Sequence, residues 1–155
     1  MIVSIPDRGG TGPEPVGTPP RYKMRCERVW SLAEAALVLD GLVTEMVLRG
    51  YPRRDTFAAR LALEEAVVNA FQHGHREQEG EPVQVTYLVT DAWLLMEVED
   101  QGPGFDPNRV ADPRADENLD KPAGRGLFLM RHFMTWVQFF GRGNVVTMYR
   151  QRSSA

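Results

Sequence analysis

Two helical patterns follow one another in the first half of this chain with no strand between them, and the strands come afterwards in pairs. Ser31 and Glu34 form a capping box, in which side chain and backbone at a helix start satisfy each other's amides. Leu32, Ala35, Ala36, Leu39, Leu42, Val43, Met46 and Val47 then recur at helical spacing until Gly50, Tyr51 and Pro52 end the run. A second helix is expected from Asp55 or Thr56 to about His73, with Gly74 stopping it. A doubly wound sheet needs strand and helix in alternation, so this order excludes it. The alternation of Met24, Cys26, Arg28 and Trp30 predicts an edge strand over 23–30. Val83, Val85, Tyr87 and Val89, then Leu94, Met96 and Val98, predict two more, turned at residues 90–92. A short helix over 126–134 and strands over 136–140 and 145–150 complete the chain, the last two turned by Gly141 to Asn144. Grouped strands and grouped helices specify an α+β fold, a two-layer sandwich with a mixed sheet covered on one face by helices.

Composition narrows the class without naming a chemistry. The chain has 155 residues, 43% of them hydrophobic and 25% charged, which suits one domain with a full core. Its formal charge of −3 argues against a general nucleic-acid or anionic-membrane surface. The one cysteine, Cys26, allows no internal disulfide and no multi-thiolate zinc site, so a reducing, cytoplasmic setting is expected. No apolar run approaches the ~20 residues that span a bilayer, and the first twenty residues lack the apolar stretch of a signal peptide. Those twenty hold five prolines and four glycines, which predicts a disordered arm over 1–22. The folded domain is then 23–151, with a flexible tail over 152–155.

Three groups of residues carry chemistry. On the second helix, Glu65 and Asn69 stand four apart, about 40° around the axis, so they share a face, with His73 a further turn on. A carboxylate can orient or deprotonate a nucleophile, and an amide oxygen is a neutral hard ligand for magnesium. Taken alone, the same spacing also describes a solvated polar stripe. Next, Asp100 ends a strand and is followed by Gly102 and Gly104. A carboxylate there can accept a hydrogen bond from a ligand amine, and the glycines allow close backbone approach; a plain turn is the competing reading. Third, Gly124, Arg125 and Gly126 open the short helix before Leu127, where unpaired amides and the helix dipole favour phosphate, with Lys121 adding charge. A flexible hinge with a solvated arginine is the alternative. Between the second and third groups, residues 100–123 carry four prolines and almost no apolar periodicity, the mark of a lid or a disordered loop.

Together and in this order, EAVVNAFQHG (Glu65 to Gly74), DQGPGFDP (Asp100 to Pro107) and GRGL (Gly124 to Leu127) resemble the N box and two glycine boxes of the gyrase, heat-shock chaperone, histidine kinase and mismatch-repair ATPase superfamily. Within it they look most like the small bacterial anti-sigma-factor serine kinases, over roughly residues 23–151. The resemblance implies a Bergerat ATP-binding fold with ATP and Mg2+ as cofactors. It implies Glu65 as the catalytic base acting on a protein serine or threonine, and Asn69 as the magnesium ligand. Asp100 would accept from the adenine amine, with Gly102 and Gly104 shaping that pocket. Residues 106–123 would form the ATP lid, and Gly124, Arg125, Gly126 and Leu127 would close over the phosphates. His73 would have a structural or supporting role. Implied partners are a sigma factor and an anti-anti-sigma (STAS) protein, with a homodimer formed through the first strand and helix; no direct contact with nucleic acid or membrane is implied. Where the third glycine box of the family carries Gly-Thr, this chain has Gly143 and Asn144, with Thr147 three residues further on. The lid is also acidic.

The leading expectation is therefore an ATP-dependent protein serine/threonine kinase. The alternative is a regulatory module that binds nucleotide and sequesters a protein without phosphotransfer. The ATPase module of a sensor histidine kinase ranks below both, because no phosphoacceptor hairpin or sensor region is present in the sequence. A metal enzyme built on His73 and His75 ranks lower still, since side chains two apart at a helix end diverge.

Overall fold

The computed structural model describes residues 23–74, 80–109 and 124–154. The elements are β1 (Arg25–Val29), α1 (Leu32–Leu48), α2 (Arg53–Asn69), β2 (Val83–Val89), β3 (Trp93–Glu99), α3 (Arg125–Phe133), β4 (Trp136–Phe140) and β5 (Val145–Gln151). The five strands form one sheet in the order β1-β2-β3-β5-β4. The expected α+β sandwich is present, with β1 at one edge.

The sheet is antiparallel throughout, not mixed. Two helices in succession turn the chain twice, so β2 returns antiparallel to β1. The single helix α3 makes β4 run parallel to β3, but β5 pairs with both and lies between them. The one parallel pair of the topology is thereby split, and every neighbour is antiparallel.

Ser31 caps α1 by accepting the Glu34 amide at 3.2 Å, while the Glu34 carboxylate accepts from the Trp30 amide at 2.8 Å rather than from Ser31 itself. The alternation of Met24, Cys26, Arg28 and Trp30 lies on one face of β1, yet its one buried side chain is Val29, on the opposite face. An edge strand has a neighbour on one side only, so this apolar set remains exposed.

Helix α2 starts two residues before its expected position, at a turn where Asp55 and Thr56 amides reach the Pro52 carbonyl. Its alanines, Ala58, Ala59 and Ala62, are fully buried and let the backbone pack closely on its neighbours α1 and α3. Leu63, Ala66 and Val67 continue that face onto Val85, Met96, Val98, Val146 and Met148 of the sheet, in one core. The last turn, Ala70–Gly74, widens into a π-helix, which carries the chain off the helix axis towards the end of β3.

An ionic knot holds the end of the sandwich away from the strand-end glycines. Asp55, at α2's first turn, is completely buried and accepts from the Arg150 guanidinium at 2.5 and 3.0 Å. It also accepts from the Ser153 amide and hydroxyl, both at 2.8 Å. Arg150 donates in addition to the Phe133 carbonyl at the end of α3. Burial pushes the Asp55 carboxyl up, but the Ser153 amide and Arg150 outweigh it and hold it below the usual carboxylate value. Arg152 donates to the Arg49, Gly50 and Asp91 carbonyls. Residues 152–154, expected as a flexible tail, are therefore bonded to the body of the domain.

Candidate functional site

A cavity of about 730 Å³ opens between α2, α3 and the ends of β3 and β5. It gathers all three sequence groups. Glu65, Asn69 and His73 reach it from α2 and its π-turn; Asp100 and Gly104 from the loop after β3; Gly124, Arg125, Gly126 and Leu127 from the start of α3. Gly102 stands just behind, buried against Gly74.

Helical spacing places Glu65 and Asn69 one turn apart, and α3 brings its second residue against both. A methyl group on Gly126 would stand 2.7 Å from Glu65 Oε2 and 3.1 Å from Asn69 Nδ2. Gly124 takes a left-handed φ of +88° to begin α3, and no side chain caps the helix start. Its first amides therefore lie beside the carboxylate and the amide, in a position suited to an anion. Glu65 is partly desolvated, and this burial, with Glu64 beside it, raises its carboxyl above the ordinary value. Such a group binds a proton more readily than a free carboxylate, which suits general-base work near neutral pH.

At the other end, Asp100 Oδ1 accepts the Gly102 amide at 2.7 Å. A Cβ at Gly102 would overlap the Gly74 backbone, and one at Gly74 would overlap Asp100. These two glycines thus exist for close packing: the π-turn and the β3 loop touch backbone to backbone. The cavity floor between the two ends is apolar, formed by Ala66, Val98, Met130, Phe139 and Val146. Phe105 closes on Phe139 edge to face, with ring centroids 5.0 Å apart.

The β4–β5 turn, where the sequence departs from the family's third glycine box, contributes residues that were not among the expected site residues. Gly143 and Asn144 line the cavity. The Asn144 side chain donates to the Asp100 carbonyl at 2.8 Å, and Arg142 donates to the Gly102 and Gln101 carbonyls at 2.8 and 3.1 Å. No residue-type signal marks such bonds, since they depend on which loop the turn meets. Thr147 does not compensate for the missing Gly-Thr pair. Buried on the face away from the helices, it donates to Glu97 at 2.9 Å.

Of the proposed lid, residues 106–109 form a turn closed by Asp106; residues 110–123, with Lys121, and likewise His75, lie outside the described residues. Among the described residues no cluster of three His, Cys, Asp or Glu side chains could hold a metal. The donor set fits magnesium brought with a polyphosphate, for which the protein supplies one or two oxygen ligands and the phosphates supply others. Gly102 and Gly104 shape the pocket indirectly, since the space a side chain would need there is taken by the backbone of Gly74 and of Arg142, while Gly126 keeps the start of α3 close to Glu65 and Asn69. Among the described residues no helix is long and apolar enough to cross a membrane.

Comparison with known proteins agrees with this fold. Residues 30–150 match the histidine kinase-like ATPase domain family. The chain is similar to the serine-protein kinase RsbW of Bacillus cereus, 30% identical over 125 residues that cover 75% of this chain and 76% of the relative. It is also similar to the serine/threonine-protein kinase BtrW of Bordetella bronchiseptica, 32% identical over 89 residues, 52% of this chain and 63% of that protein. The match thus spans less than two thirds of the Bordetella protein's length.

Proposed function

The chain belongs to the histidine kinase-like ATPase family, and on that premise we propose that it is an ATP-dependent protein serine/threonine kinase acting as an anti-sigma factor. The observation that carries this reading is the approach of Gly126, in the first turn of α3, to Glu65 and Asn69, at one end of a cavity whose other end holds Asp100. Bound ATP would supply the phosphoryl group, and Mg2+ would neutralise its charge.

Glu65 orients the hydroxyl of the incoming serine or threonine and takes its proton, for which its raised basicity suits it. Asn69 offers its side-chain oxygen to the magnesium. Asp100 accepts a hydrogen bond from the adenine amine, and the apolar floor covers the ring. Gly124, Arg125, Gly126 and Leu127 present α3's first amides to the phosphates. This division of labour places base recognition and phosphoryl transfer at opposite ends of one cavity.

The resemblance of the motifs suggests a sigma factor and an anti-anti-sigma STAS protein as partners, the latter being the phosphate acceptor, in the cytoplasm, and the names of the relatives, protein kinases acting on serine or threonine, support such an acceptor group. A homodimer through β1 and α1 fits the exposed Leu37, Val47 and Leu48 on α1 and the exposed Trp30 between the two elements. Incubation of the chain and its cognate STAS protein with radiolabelled ATP tests the kinase: a labelled serine or threonine is expected, and no label under conditions where ATP binds overturns it. The second reading, nucleotide-gated sequestration without transfer, draws on Asn144, which departs from the family's third glycine box, and on the acidic composition of residues 106–123. It requires that Glu65→Ala leave regulation in cells intact.

A further inference from the structure

We infer that Arg142, in the turn between β4 and β5, is a positioning residue for recognition of the nucleotide base. The inference rests on the nucleotide reading given above.

Three successive carbonyls lead away from the end of β3: those of Asp100, Gln101 and Gly102. Each accepts from a side chain of the β4–β5 turn. Asn144 Nδ2 reaches Asp100 at 2.8 Å, and the Arg142 guanidinium reaches Gln101 at 3.1 Å and Gly102 at 2.8 Å. The Asp100 amide in turn donates to the Asn144 carbonyl at 3.0 Å. Strand β3 ends at Glu99, and these bonds tie the segment beyond it to the β4–β5 turn. The order passes to the carboxylate because the Gly102 amide, fixed by the same residue whose carbonyl Arg142 holds, donates to Asp100 Oδ1 at 2.7 Å.

The reach is possible because the two loops touch. A Cβ at Gly104 would overlap the Arg142 carbonyl, and one at Gly143, whose φ is +91°, would overlap Phe105. Arg142 itself stands outside the lining of the cavity. It therefore acts on the ligand through Asp100. A guanidinium suits the task, since its rigid fork spans two consecutive carbonyls where a lysine ammonium would hold one.

Calorimetric titration of the full-length chain with ATP and with inosine triphosphate, both with magnesium, tests this. Inosine triphosphate carries a carbonyl where adenine carries its amine, so at that position it has no hydrogen to donate to Asp100. The native chain should prefer ATP. Arg142→Ala should weaken ATP binding about tenfold, the order of one charge-assisted hydrogen bond, while leaving inosine triphosphate binding unchanged, so that the preference collapses. Arg142→Lys should fall between, and provides the comparison if the alanine variant does not fold, as judged by its thermal midpoint. A native chain that binds neither nucleotide overturns the nucleotide reading itself and this inference with it. One that binds both equally overturns base recognition by Asp100, and the inference again. Equal weakening of both ligands in the Arg142 variants shows a merely structural arginine and overturns only the present inference, as does unchanged binding of both.

Discussion

Gly126 lies so close to Glu65 that one added methyl group would stand 2.7 Å from the carboxylate oxygen. The two residues are sixty-one positions apart in sequence and belong to different helices, yet the carboxylate of one occupies the space beside the other. Gly126 does not take a positive φ, so space, and no backbone strain, is what requires glycine there. Gly126→Ala should therefore fold normally, with a thermal midpoint equal to or above that of the parent, because alanine favours a helix by up to about 1 kcal/mol. Nucleotide affinity should drop at least about tenfold, since the methyl must displace Glu65 or Asn69. Normal affinity in a folded variant would mean that the two helices separate on binding.

Removing the base should separate catalysis from binding. Glu65→Gln is expected to reduce phosphate transfer to the protein acceptor by about 10²–10⁴, the range for general-base catalysis, while ATP still binds. The folded carboxyl is held above its unfolded value by burial first and by Glu64 second. A group raised in this way stabilises the fold below its unfolded pKa and loses that contribution as pH rises through the folded one. At neutral pH the charged Glu65 is a cost to stability, so Glu65→Gln should raise the thermal midpoint as activity disappears. A fall in both would count against a functional carboxylate.

The pH profile follows from the same shift. The base works only when ionised, so the acid limb of the transfer rate should lie above the ordinary carboxylate range. Glu64→Gln removes the like charge and should move that limb to lower pH without abolishing activity. Rate profiles of the two proteins from about pH 4 to 8, the interval where a shifted carboxylate titrates, provide the check. An unmoved limb would assign it to another group.

Asp55 and Arg150 make the opposite case. Arg150→Ala leaves a fully buried carboxylate without its cation and should destabilise the domain by about 3–5 kcal/mol. The Asp55 carboxyl is depressed in the fold, so its contribution is present above the unfolded pKa and is lost as pH falls through the folded one. Denaturant unfolding should show Arg150→Ala less stable at pH 7, with the gap to the parent narrowing in acid. A constant gap would deny the ionic origin.

The exposed side chains of α1 predict assembly. Leu37 is 73% and Leu48 82% exposed, a cost that a second copy would remove. Replacing both with glutamate should convert a dimer to a monomer in sedimentation equilibrium, with helix content unchanged. A parent chain that is already monomeric would rule out the dimer.

Much of this was legible in the residues. The periodicity of Leu32 to Val47 and the alternation of Val83 to Val98 gave element type and order, because each element's own burial pattern is local. The expected boundaries differ from the observed ones by a few residues, at Arg53 and at the π-turn, where a proline turn and a packed loop decide. Glu65 and Asn69 shared a face on helical geometry alone, and the strand-end position of Asp100 followed from the run before it. Direction in the sheet was not local: β5 separates β3 from β4, and no feature of either strand announces that. Nor could the face of β1 be read, since an edge strand buries only Val29.

The sequence by itself determined the elements, their grouping, and the three short motifs, because capping, period and glycine spacing act over a few residues. Only the tertiary structure decided what those motifs meet. It set Gly126 on Glu65, packed Gly74 against Gly102, turned Thr147 to Glu97 on the far face, and placed Arg142 on the carbonyls of Gln101 and Gly102. Each of these is a contact between distant segments, where packing density and the demand that buried polar groups be bonded choose the partner.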